Sequence, residues 1–361
     1  MNRAGRATAE QQAHFFVKLQ HLLTEGEFVS TYKFALLLAL TRWAVENPDH
    51  DEAVPLDAAA LAPHFVRLYW SHTRPFGAGT EVVTADDAAD EWRYILVQDR
   101  GRQRPRVLKL VLAAQQAGHG DLGDLPVVRR DQLLAKVKAS IRAMPLWKLH
   151  ALAGGREMQF LYRRGGDANT LLFEPGIVGC LAEFSGLIEH IVRSAWLRFV
   201  VRCNARLVGK AAQVEDFLFP DGRGRLDALR PVLEQVQGRT CFYCDRDLRQ
   251  DVAVDHFLSW SRYPRDLGHN FVLAHARCNG QKRDHLPSVE HLGRWRQRNE
   301  DGGRQLAAAF DAAGLPHDWP TLCRVAQSLY RSAANAGAGV WRVGSGLVPL
   351  ADDWRRILGV A

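Results

Sequence analysis

Residues 238–285, GRTCFYCDRDLRQDVAVDHFLSWSRYPRDLGHNFVLAHARCNGQKRDH, decide how the chain is read. They hold two pairs of metal-ligand residues, Cys241-x2-Cys244 and His275-x2-Cys278, with 30 residues between the pairs. Two residues between ligands let one turn bring both side chains to the same tetrahedral ion, and three Cys with one His is a common structural zinc set. Between the pairs run Val252-Ala253-Val254-Asp255-His256 and, after a turn-rich loop, Asn270-Phe271-Val272-Leu273, two short β-like segments. Cys278-Asn279 then opens a polar segment of helical composition. The competing reading keeps Cys244 and Cys278 as core thiols and His275 as incidental.

Outward from this stretch, the composition is that of a globular protein. Of 361 residues, 47% are hydrophobic and 24% charged, which excludes a chain disordered throughout. The longest apolar run, Phe34 to Leu40, is about a third of the ~20 residues that a membrane span needs, so no membrane is expected. The polar N-terminus lacks a hydrophobic signal core, and six Cys in metal-type spacing suit a reduced cytoplasm rather than a disulfide scaffold. The formal net charge of +7 is unevenly spread. Residues 101–150 hold ten Lys/Arg against three Asp, and residues 256–298 hold eight against three acids. Residues 46–91 run the other way, with ten acids, among them Asp86, Asp87, Asp90 and Glu91, against Arg67 and Arg74. Basic surfaces attract polyanions through counterion release, although solvated faces account for many such charges.

The spacing of apolar residues predicts helices over most of residues 1–235: 10–24, 32–45 with Ser30 or Thr31 as cap, a third capped by Asp57, and others near 88–98, 104–117 and 131–142. Residues 158–163 and 169–173 are β-like around Gly165-Gly166, and Pro175 introduces one long helix from about Ile177 to Leu207. Residues 220–224 (PDGRG) form a linker. Helical patterns return over Val289–Ala309, Ser328–Ala334 and Asp352–Leu358, with Trp319, Trp341 and Trp354 expected to pack that end. The fold class is therefore mainly α with a small α+β module. Three segments are expected: a helical domain over 1–235, a zinc-stapled module over 236–300, and a helical extension over 301–361.

The order CxxC, Asp-His, an Asn before an apolar run, then Cys-Asn followed by Lys282 resembles the HNH endonuclease family over about 50 of 361 residues. The resemblance implies a ββα-metal core, with His256 as general base, Asn270 at the second family position and Asn279 at the third. It also implies Mg2+, or Mn2+ or another divalent ion, held by Asp255 and Asn279, and Zn2+ held by Cys241, Cys244, His275 and Cys278. Two departures stand out: His275 where many members carry Cys, and Ser259 where Pro often follows the Asp-His pair. The wider chain, with STYKFALLLAL at 30–40, MPLWKL at 144–149 and FEPG at 173–176, resembles bacterial HNH proteins of anti-phage defence, among them the nuclease component of type II Zorya systems.

Physical reasons stand beside these assignments. A neutral imidazole takes a water's proton near neutral pH, hard oxygen donors suit a hard cation, and Asn270 suits orienting His256 or bracing its loop. The expected function is a metal-dependent endonuclease acting on DNA, alongside other proteins of a defence complex. Two readings stay open: a non-catalytic zinc module that binds nucleic acid or protein, and an RNA nuclease. His269 and His285 are rival imidazoles. Arg262, Arg265, Arg277, Lys282 and Arg283, with His291, Arg294, Arg296 and Arg298 beyond, are candidate phosphate contacts.

Overall fold

A computed structural model describes residues 7–76, 96–100, 105–116, 122–204, 210–220, 229–249 and 251–360. Asp86, Asp87, Asp90 and Glu91, most of the helical pattern near 88–98, and most of the linker lie outside the described residues. The chain is mainly helical and divides into two units. The first comprises residues 1–44, 49–181 and 187–220, the second 45–48, 182–186 and 221–361. Among the described residues, no helix is long and apolar enough to cross a membrane.

The first unit is built from α1 (Ala9–Glu25), α2 (Tyr32–Glu46, its end in the second unit), α3 (Ala62–Trp70), α4 (Arg106–Gln115), α5 (Val127–Ala143), α6 (Pro145–Lys148), α7 (Ile177–Glu183), α8 (Ser185–Cys203) and α9 (Ala211–Leu218). Strands β1 (Leu56–Asp57), β2 (Tyr162–Arg164) and β3 (Thr170–Phe173) form an antiparallel sheet in the order β1-β3-β2. An apolar run as dense as Phe34–Leu40 has no polar face to give to water, and every residue of it is buried. Phe34 packs on Trp196 and Phe199 of α8. Asp57 does cap, accepting from the Ala59 N–H at 2.7 Å. Thr31 instead spends its hydroxyl on Tyr69 and Gln98. The single helix expected from Ile177 to Leu207 is two helices, broken at Phe184, and residues 182–186 belong to the second unit.

The second unit comprises α10 (Arg230–Gln237), the hairpin β4 (Val252–His256) and β5 (Phe271–His275), α11 (Ala276–Lys282), α12 (Val289–Asp301), α13 (Gly303–Ala312), α14 (Trp319–Asn335), the hairpin β6 (Val340–Arg342) and β7 (Gly346–Val348), and α15 (Trp354–Leu358). The β4–β5 register pairs Val252 with His275 at one end and His256 with Phe271 at the other. An isolated two-stranded hairpin is marginal in water, so it needs a covering layer. That layer comes from α10, α11 and α12 together with residues beyond 300. One core holds Phe257, Phe271, Trp295, Leu322, Tyr330 and Trp354, with Phe257 stacked on Trp295 at 4.7 Å between centroids. Residues 236–300 and 301–361 therefore share one core, which corrects the expected boundary between module and extension. A chain of about 65 residues is marginal by its surface-to-volume ratio, and the added helices enlarge the core it can bury.

Candidate functional site

The Cys241–Cys244 turn is a tight knuckle. The Asp245 N–H donates to the Cys241 carbonyl at 3.0 Å, the Cys241 N–H donates to Arg246 at 2.9 Å, and Asp245 sits at φ 58°. His275 ends β5 and also occupies the position before the first turn of α11, which places Cys278 inside that turn. The ligand atoms of Cys241, Cys244, His275 and Cys278 all lie within 4.8 Å of one another, a cluster that could hold a metal ion such as zinc.

The chemistry of the donor set fits that ion. Burial opposes ionisation of Cys241, yet the N–H groups of Cys244, His275 and Tyr243 directed at its sulfur outweigh it and hold the thiol below its usual range. Cys278 is pushed up to about 12, first by burial and then by the neighbouring Cys241 and Cys244 sulfurs. Three sulfurs this close resist carrying charge together, and a divalent cation removes that conflict. His275 lies with Nε2 3.1 Å from the Asp247 carbonyl, an acceptor, so Nε2 carries the hydrogen and Nδ1, 3.4 Å from the Cys244 sulfur, keeps the lone pair a metal needs.

At the far end of the hairpin, side chains alternate across β4, so Asp255 and His256 face opposite sides. His256 is 6% exposed and lies against Phe271 and Trp260, with Nε2 2.8 Å from Asp266 Oδ1. The charge count over residues 256–298 includes Asp266, but the sequence gives it no role in the site. An acid ten residues downstream in a polar loop gives no local signal that it returns to the strand. Asp255 Oδ2 accepts from the Tyr243 hydroxyl at 2.6 Å, and Oδ1 accepts from Lys282 Nζ at 3.2 Å. Burial, followed by the Asp255 charge, raises Tyr243 well above the usual phenol range, so it remains a donor.

Asn270 is wholly buried and brackets the loop after β4. Its Oδ1 accepts from the Leu258 N–H at 2.8 Å and its Nδ2 donates to the Leu258 carbonyl at 2.9 Å. Asn279 is half-buried on α11, three residues before Lys282 and hence on the same helix face. His269 is buried beside Phe310 and Trp319, its Nδ1 has no partner among the described residues, and burial lowers its pKa to about 4. His285 is half-buried in the turn that follows α11.

No family model, curated protein or solved structure matches the chain.

The expected track of phosphate contacts is largely internal. Lys282 is fully buried, and Arg265 pairs with Glu46 at 2.7 Å. Arg262 donates to the Asp284 carbonyl, Arg294 to Asp245 and the Phe242 carbonyl, and Arg296 to the Ile357 carbonyl. Arg298 serves the carbonyls of Phe271 and His269, and burial lowers it to about 10. His291 is buried between Ser288 and the Tyr243 carbonyl. These cations satisfy carbonyls and carboxylates that the packed helices would otherwise leave bare. Arg277 and Arg283 remain exposed at the two ends of α11.

Proposed function

We propose that the second unit carries an HNH-type endonuclease centre that hydrolyses phosphodiester bonds in DNA, with His256 as general base. One observation carries this reading: a single antiparallel hairpin holds the Cys3His cluster at one end and a carboxylate-held imidazole at the other. The wider resemblance sets the activity in bacterial anti-phage defence, with other proteins of a defence complex as partners.

Hydrolysis requires a water that loses a proton as it attacks phosphorus. The Asp266 carboxylate accepts, so Nε2 of His256 carries a hydrogen and Nδ1 keeps its lone pair. Nδ1 takes the water's proton, a step worth typically ~10²–10⁴ in rate. The new P–O bond forms as the bond to the 3′ oxygen breaks, and the departing 3′ oxygen takes a proton from solvent, leaving a 5′ phosphate and a 3′ hydroxyl. Arg277 and Arg283, exposed at the two ends of α11, are the candidates for phosphate contact, with Asn279 between them in sequence. Asn270 keeps the backbone after His256 in place.

The resemblance implies Mg2+, or Mn2+ or another divalent ion, on Asp255 and Asn279, where it would neutralise charge on the phosphorane. Asp255 does not fit that role. Its Oδ1 accepts from the Lys282 ammonium, its Oδ2 accepts from Tyr243 and lies 3.0 Å from the same ammonium, and the local charge is already balanced. No step above therefore runs through a divalent ion.

The test is nicking of supercoiled plasmid by the full chain. His256→Ala is expected to abolish nicking with zinc content and melting temperature intact. Full activity in that variant overturns the assignment. Wild-type protein that binds DNA without cutting it supports the non-catalytic module, and cleavage confined to RNA substrates supports the RNA nuclease.

A further inference from the structure

The buried cation beside the proposed centre is unusual in its completeness. Lys282 is 0% exposed, and its ammonium meets Asp255 Oδ2 at 3.0 Å, Asp255 Oδ1 at 3.2 Å and the His256 carbonyl at 2.8 Å. An ammonium has three donors and no acceptor; here it donates to Asp255 Oδ1 and to the His256 carbonyl and lies within ion-pair distance of Asp255 Oδ2. The Tyr243 hydroxyl supplies a further hydrogen bond to the same carboxylate. The cluster is charge-balanced, one carboxylate against one ammonium, within the core of the second unit. Adding a doubly charged ion would leave two uncompensated positive charges beside a fixed ammonium in a medium that screens poorly.

We propose that Lys282 is the resident cation of this centre: it takes the place of a divalent ion at Asp255 and acts as a positioning residue for His256. The ammonium ties the last residue of α11 to the end of β4 and grips the carbonyl of the residue whose imidazole acts as base. A metal at this place would hold Asp255 and Asn279 together across the same two elements. Lys282 makes that link covalently continuous with α11, so the arrangement of strand and helix does not depend on the supply of divalent ions. The inference rests on the endonuclease reading only in naming His256 as the base; the cation that Asp255 prefers is a separate question with its own measurement.

Two measurements on the full, zinc-loaded chain test it. In protein labelled with 15N-lysine, a buried, hydrogen-bonded ammonium gives a slowly exchanging resonance, assigned by its loss in Lys282→Met. That resonance is expected to be unchanged by millimolar Mg2+; its displacement overturns the proposal. Mn2+ binding followed by electron paramagnetic resonance is expected to show no site in wild type that Asp255→Asn removes. Lys282→Met is expected to gain such a site, and the Asp255→Asn/Lys282→Met double variant to lose it again, which a merely structural lysine would not produce. If Lys282→Met does not fold, the wild-type comparison still decides. Saturable Mn2+ binding in wild type, competed by Mg2+ and lost in Asp255→Asn, overturns the proposal. A wild type that cuts no DNA and yet shows the expected metal behaviour refutes the endonuclease reading while supporting Lys282 as the resident cation.

Discussion

Asn270→Ala isolates a hydrogen-bond effect from a chemical one. The side chain is wholly buried and spends both ends of its amide on one residue, accepting from the Leu258 N–H at 2.8 Å and donating to its carbonyl at 2.9 Å. Alanine removes both partners at once. A buried backbone group left without a partner costs roughly 1–3 kcal/mol, so two such groups put the loss at about 2–6 kcal/mol. The backbone bond from the Phe257 N–H to the Asn270 carbonyl, at 2.7 Å, is untouched, which keeps the damage local to the turn after His256. Asn270→Asp is a sharper control: it retains the acceptor for Leu258 N–H but sets a carboxylate against the Leu258 carbonyl, so it should fare no better than alanine. Urea unfolding followed by tryptophan fluorescence measures the loss, since Trp295, Trp319, Trp341 and Trp354 lie in or against the same core. Nicking should fall with stability and recover in part when a stabilising co-solvent restores the fold. Stability within ~0.5 kcal/mol of wild type, the range of an ordinary surface substitution, would refute the bracing role. Lost activity with full stability would place the amide in the chemistry instead.

Metal analysis of purified protein should find about one zinc per chain, and Cys241→Ser should lower both zinc content and melting temperature, because a structural site contributes folding free energy directly; a well-folded, metal-free wild type would sink this reading. Asp266→Asn should keep the fold and cut nicking by roughly 10–100-fold while His256→Ala abolishes it, as expected if the carboxylate sets the tautomer and orientation of the base; equal rates in wild type and Asp266→Asn would detach the carboxylate from the base. In the first unit, burial lowers His72 from 6.5 to about 4, its ring held between the Leu218 carbonyl and the Gln98 amide. The unfolded imidazole takes a proton that the folded one refuses, so stability is intact above about 6.5 and declines as pH falls toward about 4, by on the order of 3 kcal/mol. Denaturant unfolding across that window should show the decline and His72→Gln should flatten it; an unchanged slope refutes the assignment.

What was legible in the sequence was what is local in the chain. The tetrad could be read because an x2 spacing fixes two ligands within one turn, and β4 and β5 because short apolar runs between turn residues have few other uses. Lys282 could not be placed from sequence. A lysine is solvated by default, and the carboxylate that makes its burial affordable lies 27 residues earlier. Asp266 and Tyr243 escaped for the same reason, since their partners are set by how a loop and a knuckle fold back onto β4. The boundary at residue 300 failed because apolar residues on α14 and α15 do not announce which core they complete. The β6–β7 hairpin was missed although Gly344-Ser345-Gly346, with both glycines at positive φ, was a usable turn signal.

The strict alternation of β4 gives the hairpin a parity. Residues 252, 254 and 256 share one side of the strand and residues 253 and 255 the other, so neighbours in sequence answer to different neighbours in space. A deletion or insertion of one residue within β4 would exchange the two roles, turning an imidazole toward Lys282 and a carboxylate toward Asp266. The loop from 257 to 269 is pinned at separate points instead: Leu258 by Asn270, Arg265 by Glu46 and Asp266 by His256. Drift in this lineage should therefore spare the length of β4, five residues where carboxylate and imidazole sit side by side yet never share a surface, and with it the spacing from His256 to Asp266.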